Sequence, residues 1–163
     1  MAGFIREYAS LLPRDTCTAL IREAAASGAD VFATSTVRVD VPAALVPAID
    51  DVLARAVLAY SSDCATFAAI HPRVVPTRHA VERLAACEGT GRWRAPTTIR
   101  PRPILCVLGF LDDGWGELEF EEQPHRIVPR AGTIAMFPTG FEYVYRETAS
   151  SPCHMLTTCL TYG

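Results

Sequence analysis

Lysine and asparagine are both absent from this sequence, and the count of 15 for lysine plus arginine is entirely arginine. Such usage is typical of GC-rich coding and indicates no function. The sequence also lacks an apolar run of the roughly 20 residues needed to span a bilayer. The opening MAGFIREYAS mixes acidic and basic side chains and has no apolar signal core. We therefore expect a cytoplasmic protein that does not associate with membranes.

An excess of positive charge is missing as well, because the formal net charge is −3. A negatively charged chain has no general attraction for phosphate backbones. Within the arginine-containing stretch 92–102, Trp93 is the single aromatic residue that could stack on a base. We therefore expect no nucleic acid partner.

Metal-binding patterns are also scarce. The six cysteines contain no C-x-x-C pair, and the four histidines form no H-x-H, H-x-D or H-E-x-x-H pattern. We expect no structural zinc site, and we expect most cysteines to be buried thiols. His79 and Glu82 would share a face if their segment were helical, a spacing found in carboxylate metal sites. The simpler interpretation is a solvated helical pair.

What is present indicates one folded domain covering residues 1–163. Half of the residues are hydrophobic and a fifth are charged, as in ordinary globular proteins. Apolar residues recur at helical spacing in 15–28 and 41–60, with Pro42 fitting the first turn of the second helix, and residues 31–41 alternate like a strand. We therefore predict a helical part over about 1–90 and barrel strands over about 91–163. The strands are predicted at 104–111, 117–122, 125–128, 132–137, 142–147 and 153–162.

Strands at this short spacing after a pair of helices favour an α+β fold, a small antiparallel barrel or jelly roll backed by helices. Four passages carry a more specific signal: FIREYASLLPRDTCTALI, ILCVLGFLDDGWGELEF, IVPRAGTIAMFPTGF and the closing strand. In their order and spacing they resemble the prolyl-4-hydroxylase-like branch of the Fe(II) and 2-oxoglutarate dependent oxygenases. The resemblance implies a double-stranded β-helix, cupin-like, with the N-terminal helices packed on one face.

The resemblance also implies a site that this sequence no longer has. The family binds Fe(II) through two histidines and one carboxylate, and it binds 2-oxoglutarate through a basic residue of the last strand. The matching positions are Ala95 and Thr97 for the H-x-D pair, Tyr145 (or Tyr143) for the distal histidine, and Cys153 for the basic residue. None of these suits its role, so we expect a diverged member without the metal triad, and no cofactor.

A cavity of different chemistry is predicted in its place. If Cys153 points into the barrel, then Met155 and Thr157 follow it and His154 points away. Tyr145, Tyr143, Phe110 and Cys106 would face the same space, which suits an apolar or aromatic small molecule. The alternative is that these side chains fill the barrel completely.

Two groups of candidate site residues follow. The arginines near the lost H-x-D position, at 92, 94, 100 and 102, would form a rim for an anionic or carrier-bound substrate, unless the loop is simply solvated. A buried phenol can move a proton, and a thiol with a lowered pKa can act as a nucleophile. The catalytic candidates are Tyr145, Tyr143, Glu142 and Cys153, and the substrate-binding candidates are Phe110, Cys106, Met155, Trp93, Arg94 and Arg102.

Three functions remain open at this point. The first, which we favour, is a metal-independent enzyme of specialised metabolism that performs a cyclisation, isomerisation or dehydration; it predicts an enclosed pocket. The second is an inactive binding or partner module, which predicts a filled barrel and an exposed apolar face. The third is an unorthodox metal enzyme that uses His71, His79, His125, cysteines and carboxylates. The sequence also leaves a homodimer open.

Overall fold

The computed structural model describes residues 3–27, 37–85, 93–95, 103–113, 116–149 and 151–163. Within these ranges lie the helices α1 (Arg14–Ala26), α2 (Val46–Asp63) and α3 (Ala65–Ile70). The strands are β1 (Arg6–Tyr8), β2 (Val37–Asp40), β3 (Val74–Pro76), β4 (Ala80–Leu84), β5 (Leu105–Phe110), β6 (Leu118–Phe120), β7 (Arg126–Ile127), β8 (Ile134–Pro138), β9 (Tyr145–Glu147) and β10 (Cys153–Tyr162). A 3₁₀ turn, Phe141–Tyr143, precedes β9. In these ranges no helix has the length and apolar character that crossing a membrane requires.

The strands of the described residues form two antiparallel sheets. The larger sheet has the order β1-β8-β5-β10-β4-β2, and β3 also pairs with β10. The smaller sheet has the order β7-β6-β9. An isolated bridge from Arg94 to Tyr145 adds one more partner beside β9. Its two backbone hydrogen bonds, each from an N–H to the opposite carbonyl, measure 2.7 and 3.0 Å. Two facing sheets backed by helices are the predicted double-stranded β-helix.

The larger sheet separates two apolar cores. On one face, Leu105 and Val107 of β5 pack with the helices. On the other face, Cys106, Leu108 and Phe110 pack against the smaller sheet. This alternation follows from the two-residue period of a strand, and it explains why β5 is buried along its whole length. We call the core between the two sheets the barrel core.

The two main helices follow their apolar patterns. In α1 the buried residues are Cys17, Leu20 and Ala24, at the spacing of one helical face. Helix α2 begins at Val46 and not near Pro42, because residues 43–45 form a turn. Pro47 lies in the first turn of α2, where its missing N–H leaves no hydrogen bond unmade.

Three further predictions differ from the structure. Strands β1 to β4 all precede residue 90, so the first part is not simply helical. The HAVE segment is not helical either, since His79 directly precedes β4 and Glu82 lies within it. Strand β4 was missed because all but one of its residues are buried, which removes the alternation of a half-exposed strand.

The bounds of two predicted strands also need comment. The predicted strand 142–147 is shorter, because Tyr143 belongs to the 3₁₀ turn. Of the predicted strand 31–41, residues 31–36 lie outside the described ranges.

Candidate functional site

Most of the predicted interior residues do lie together. Tyr145, Tyr143, Cys153, Phe110, Cys106 and Met155 all belong to the barrel core. His154, which we expected to point away, lies on the helix side of the sheet beside Val81 and Ile21. There its Nδ1 atom is 2.7 Å from Asp112 Oδ2.

The barrel core is tightly packed by aromatic rings. The Phe137 ring lies at the centre, with ring centroids of Phe120, Tyr145 and Tyr143 at 5.0, 5.5 and 6.5 Å. Phe110, Cys153 and Met155 are completely buried beside them. Three cavities lie at α1, α2 and α3, and none of them is lined by residues of the barrel core.

A charged cluster lies at the edge of this core. Arg94 donates to Glu147 Oε1 at 2.7 Å and to Glu82 Oε2 at 2.5 Å. The side chains of Glu82 and Glu147 are 5% and 4% exposed, whereas that of Arg94 is 28% exposed. Arg38 of β2 approaches Glu82 from the outside at 3.4 Å. We call Glu82, Arg94 and Glu147 the carboxylate–arginine cluster.

Each member reaches the cluster through its position on a strand. Glu82 points into the barrel with Leu84, because residues two apart share a strand face. Glu147 shares its face with Tyr145 for the same reason. Arg94 is held by its backbone bridge to Tyr145, and its guanidinium carbon lies 5.8 Å from the centre of the Tyr145 ring.

Burial determines the protonation of these groups. Burial raises the pKa of Glu147, and the adjacent guanidinium of Arg94 only partly opposes that rise. Burial and the nearby Cys106 thiol raise the pKa of Tyr145 well above its usual range, so the phenol is neutral at physiological pH. Burial acts to lower the pKa of Arg94, but Tyr145, Glu147 and Glu82 together raise it. The cluster thus holds one permanent cation between two carboxyl groups, and one of those takes up a proton more readily than a free glutamate.

The remaining predicted residues lie elsewhere. Glu142 is exposed on the 3₁₀ turn, so it does not line an enclosed pocket as we expected. Trp93 is 37% exposed and its ring lies under the Arg146 guanidinium carbon at 4.4 Å. Arg146 itself faces outward and pairs with Glu119. Arg102, with Thr97 and the arginines at 92 and 100, lies outside the described residues.

The four histidines are separated and each has its own surroundings. His79 is buried between Asp50 of α2, at 2.9 Å from Nε2, and Thr158 of β10, at 3.1 Å from Nδ1. His125 contacts Glu7 near the surface, and His71 packs between the rings of Phe67 and Tyr162. Across the described ranges, no group of three or more His, Cys, Asp or Glu side chains is placed to hold a metal ion.

The comparisons with known proteins address the fold. No protein-family model and no curated protein sequence matches the chain, but solved structures do. The viral collagen prolyl hydroxylase of Paramecium bursaria Chlorella virus-1, in its 2OG complex, superimposes with a TM-score of 0.72 at 12% identity. That match covers 99% of this chain and 97% of the viral one. The chain has the prolyl hydroxylase fold.

Two other prolyl hydroxylases support this conclusion. A prolyl-4-hydroxylase from Pseudomonas putida gives a TM-score of 0.65 at 16% identity, over 99% of this chain and 94% of that one. A Trichoplax adhaerens prolyl hydroxylase, solved with a hypoxia inducible factor peptide fragment, gives a TM-score of 0.68 at 13% identity. That match covers 98% of this chain and 84% of the Trichoplax chain. The double-stranded β-helix expected from the sequence resemblance is thereby confirmed. At these identities the likeness establishes the fold, and the chemistry has to be argued from the site.

The described residues do not fit the iron site of the prolyl hydroxylase fold. The Arg94–Tyr145 bridge joins the two segments on which the resemblance places the metal ligands, which supports the alignment. The described residues of those segments include Arg94, Ala95 and Tyr145. The two nearby carboxylates, Glu82 and Glu147, already bind the Arg94 guanidinium. A fixed cation among the only nearby anionic side chains of the described residues disfavours a divalent metal ion there.

Sequence reasoning did not place Glu82, Glu147 or Arg38 in this region. Strand alternation contained a signal for one of them, since Tyr145 and Glu147 are two residues apart in EYVYRE. The signal for Glu82 was hidden by the assignment of its segment to a helix.

Proposed function

We propose that this chain is a metal-independent enzyme that moves a proton on a small molecule, and that the carboxylate–arginine cluster with Tyr145 is its site. Cyclisation, isomerisation and dehydration can each proceed by such a transfer without a redox change. The observation that supports the proposal is the burial of two glutamates around one partly exposed arginine at the edge of an apolar barrel core.

Burying these charged groups is energetically unfavourable for an element that serves structure alone. Removing charges from water costs several kcal/mol per ion, and replacing a buried ion pair by apolar side chains is often neutral or stabilising. Buried groups with shifted pKa values are concentrated at functional sites. The cluster is therefore better explained by function than by stability.

The geometry suggests a role for each group. Glu147, whose pKa is raised by burial, would give or accept the proton, because a carboxyl group closer to neutrality is a better general acid and base. Tyr145 would orient a polar atom of the substrate through its neutral phenol. Arg94, with Arg38 beside it, would hold an anionic or carrier-bound substrate group.

The proposal can be tested without knowing the substrate. Protein dialysed against chelator would be incubated with a panel of small aromatic and aliphatic carboxylates and their thioesters. Ligand-observed NMR would detect binding, and proton NMR would detect conversion. We expect at least one bound compound to be converted by the chelated protein. We expect Glu147→Gln to slow that conversion by about 10²- to 10⁴-fold, the usual contribution of a general acid or base.

Arg146→Met is the matched control, because Arg146 faces outward on the same strand; it should keep the full rate. Bound compounds that are never converted would contradict the enzyme proposal. Conversion that requires added Fe(II) and 2-oxoglutarate would contradict its metal independence.

A binding or partner module is the second candidate, favoured by two observations. The aromatic rings of the barrel core pack closely against one another, as described above. In addition, Leu58, Ile70 and Tyr162 are 71%, 61% and 63% exposed, and apolar grooves of about 490 and 180 Å³ lie beside α2 and α3. Leu58 lines the larger groove and Ile70 the smaller one, and exposed apolar patches are typical of interaction surfaces. If this surface forms a homodimer, light scattering should give twice the monomer mass and Leu58→Glu should reduce it to the monomer mass.

A further inference from the structure

Two cysteines of the barrel core lie directly opposite each other on neighbouring strands. Cys106 of β5 and Cys159 of β10 are paired in the antiparallel register. Both are reduced and buried, and both point toward the smaller sheet, because Cys106 packs in the barrel core. The carboxylate–arginine cluster lies nearby, since Glu82 acts electrostatically on both thiols.

The pair occupies the closer of the two kinds of antiparallel position. Leu111 donates its N–H to the carbonyl of His154 at 3.1 Å, which makes those two residues a hydrogen-bonded pair. Since hydrogen-bonded and non-hydrogen-bonded pairs alternate, Cys106 and Cys159 form a non-hydrogen-bonded pair. The backbone of Cys159 agrees, because its N–H and its carbonyl both bond to Thr77 on the other side of β10.

A non-hydrogen-bonded pair has the geometry of a disulfide. Its Cα atoms are about 4.5 Å apart and its side chains are at their closest. Disulfides span Cα separations of about 4.4 to 6.8 Å. The two sulfurs can therefore bond with little movement of the strands. Of the other described cysteines, Cys153 lies opposite Leu84 in the register of β10 with β4, Cys17 lies in α1, and Cys64 lies between α2 and α3.

The two thiols are also electrostatically unequal. Contact with Cys106 and the nearby guanidinium of Arg38 lower the pKa of Cys159, against the effect of burial. Hydrogen bonding to Cys159 and burial raise the pKa of Cys106. Cys159 is 9% exposed and Cys106 is 4% exposed. Cys159 is therefore the sulfur that a small oxidant reaches first, and Cys106 is the neighbouring thiol that can then react with it.

We propose that Cys106 and Cys159 form a redox-active dithiol that hydroperoxides oxidise to a disulfide inside the barrel. In the first step the Cys159 thiolate attacks a peroxide oxygen; an S–O bond forms, the O–O bond breaks, and the leaving alkoxide takes up a proton. In the second step the sulfur of Cys106 attacks the Cys159 sulfenic acid. The S–S bond forms, the S–O bond breaks, and hydroxide leaves as water with the proton of Cys106. The protein loses two electrons, and the peroxide is reduced to an alcohol and water.

The test is a thiol count and a peptide map of the intact chain. The reduced protein would be treated with tert-butyl hydroperoxide and quenched by alkylation under denaturing conditions. We expect the six thiols to fall to four, with a non-reducing digest showing one link between the peptides of Cys106 and Cys159. Dithiothreitol should restore all six. An unchanged thiol count, or a link between any other pair, would overturn the proposal.

Two variants separate the steps. Cys106→Ser should leave a sulfenic acid on Cys159 that reacts with dimedone, and it should form no disulfide. Cys17→Ser, which changes a buried cysteine of the helix-side core, should still lose two thiols. Equal thiol loss in both variants would contradict the pairing. The wild-type peptide map decides the matter even if one of these variants fails to fold, and none of these readouts depends on the proposed enzyme activity.

Discussion

At the scale of single residues, Arg94 is the side chain on which the charged cluster depends. It is the cation that both Glu82 and Glu147 contact at 2.7 Å or less. Removing it leaves two carboxylates buried at the edge of an apolar core. Because unpaired buried charge is far more costly than unpaired surface charge, substitutions of Arg94 and of a surface arginine should differ strongly.

We expect Arg94→Met to lower the free energy of unfolding by about 3 to 5 kcal/mol, the usual cost of breaking a buried ion pair from one side. Urea denaturation followed by circular dichroism would measure it. The control Arg126→Met changes an arginine whose side chain is 65% exposed and which pairs with Glu117 at the surface, and it should cost about 1 kcal/mol or less. A similar decrease in the free energy of unfolding in the two variants would show that Arg94 contributes no more to stability than a surface arginine does.

The raised pKa of Glu147 predicts how the stability of the protein changes with pH. A carboxyl group whose pKa is higher in the folded state takes up protons on folding, so its contribution to stability is complete below the unfolded pKa of about 4.3 and is lost as pH rises through the folded value. Burial raises the folded pKa of Glu147. Glu147→Gln should therefore gain stability relative to the wild type as the pH rises from about 4.3 toward neutrality. Denaturation curves across that interval would measure the difference, and a difference that falls with pH would contradict the shift.

Residue-level prediction from sequence succeeded where strand alternation was visible. Cys153, Met155, Phe110 and Cys106 were placed on one face because residues two apart share it, and all belong to the barrel core. Glu82 was missed because burial on both faces of β4 hides the strand period. No sequence pattern indicated that Arg94 would bind two glutamates at positions 82 and 147, because such a contact depends on how the sheets face each other.

At the scale of elements, Gly109 of β5 permits the close approach of three strands. A Cβ atom on Gly109 would lie 3.1 Å from Ile134 Cδ1 of β8 and 3.2 Å from Leu156 Cβ of β10. Both neighbours are completely buried and cannot move away freely. The absence of a side chain at this position is therefore part of the packing.

Gly109→Ala should lower the free energy of unfolding by about 1 to 3 kcal/mol, the usual cost of overpacking a core. Thermal or chemical denaturation would measure this loss. Gly3→Ala is the control, because a Cβ atom there would have nothing within 4 Å, and its effect should stay within about 0.5 kcal/mol. Equal stability of the two variants would mean that the neighbours of Gly109 yield easily.

The elements themselves were partly predictable. The spacing of apolar residues predicted the two main helices and most of the later strands, as in α1 and β5. The short strands β1 and β3 have three residues each, too few to show a period, and they exist because β8 and β10 offer them hydrogen-bonding edges. The family resemblance gave the fold class, but no local pattern indicated the order of the strands in the two sheets.

At the scale of the whole molecule, the proposed loss of the iron site predicts how the protein responds to the ligands of its structural neighbours. A ligand present at 100 times its dissociation constant raises the free energy of unfolding by about 2.7 kcal/mol. We expect Fe(II) with 2-oxoglutarate, added without oxygen, to leave the unfolding midpoint unchanged. A bacterial prolyl 4-hydroxylase treated in the same way provides the positive control. Stabilisation of this chain by a comparable amount would reinstate the iron-dependent chemistry.

The position of β10 bears on how the chain is synthesised. Strand β10 lies between β5 and β4 in the larger sheet, yet it follows both of them in sequence. Until it is made, β4 and β5 have no common hydrogen-bonding partner, and each presents an unpaired apolar edge. Such edges promote association between chains. A ribosome translating this protein therefore carries an incomplete sheet until the last of these strands emerges, so demand for chaperones should be greatest just before synthesis of β10 is complete.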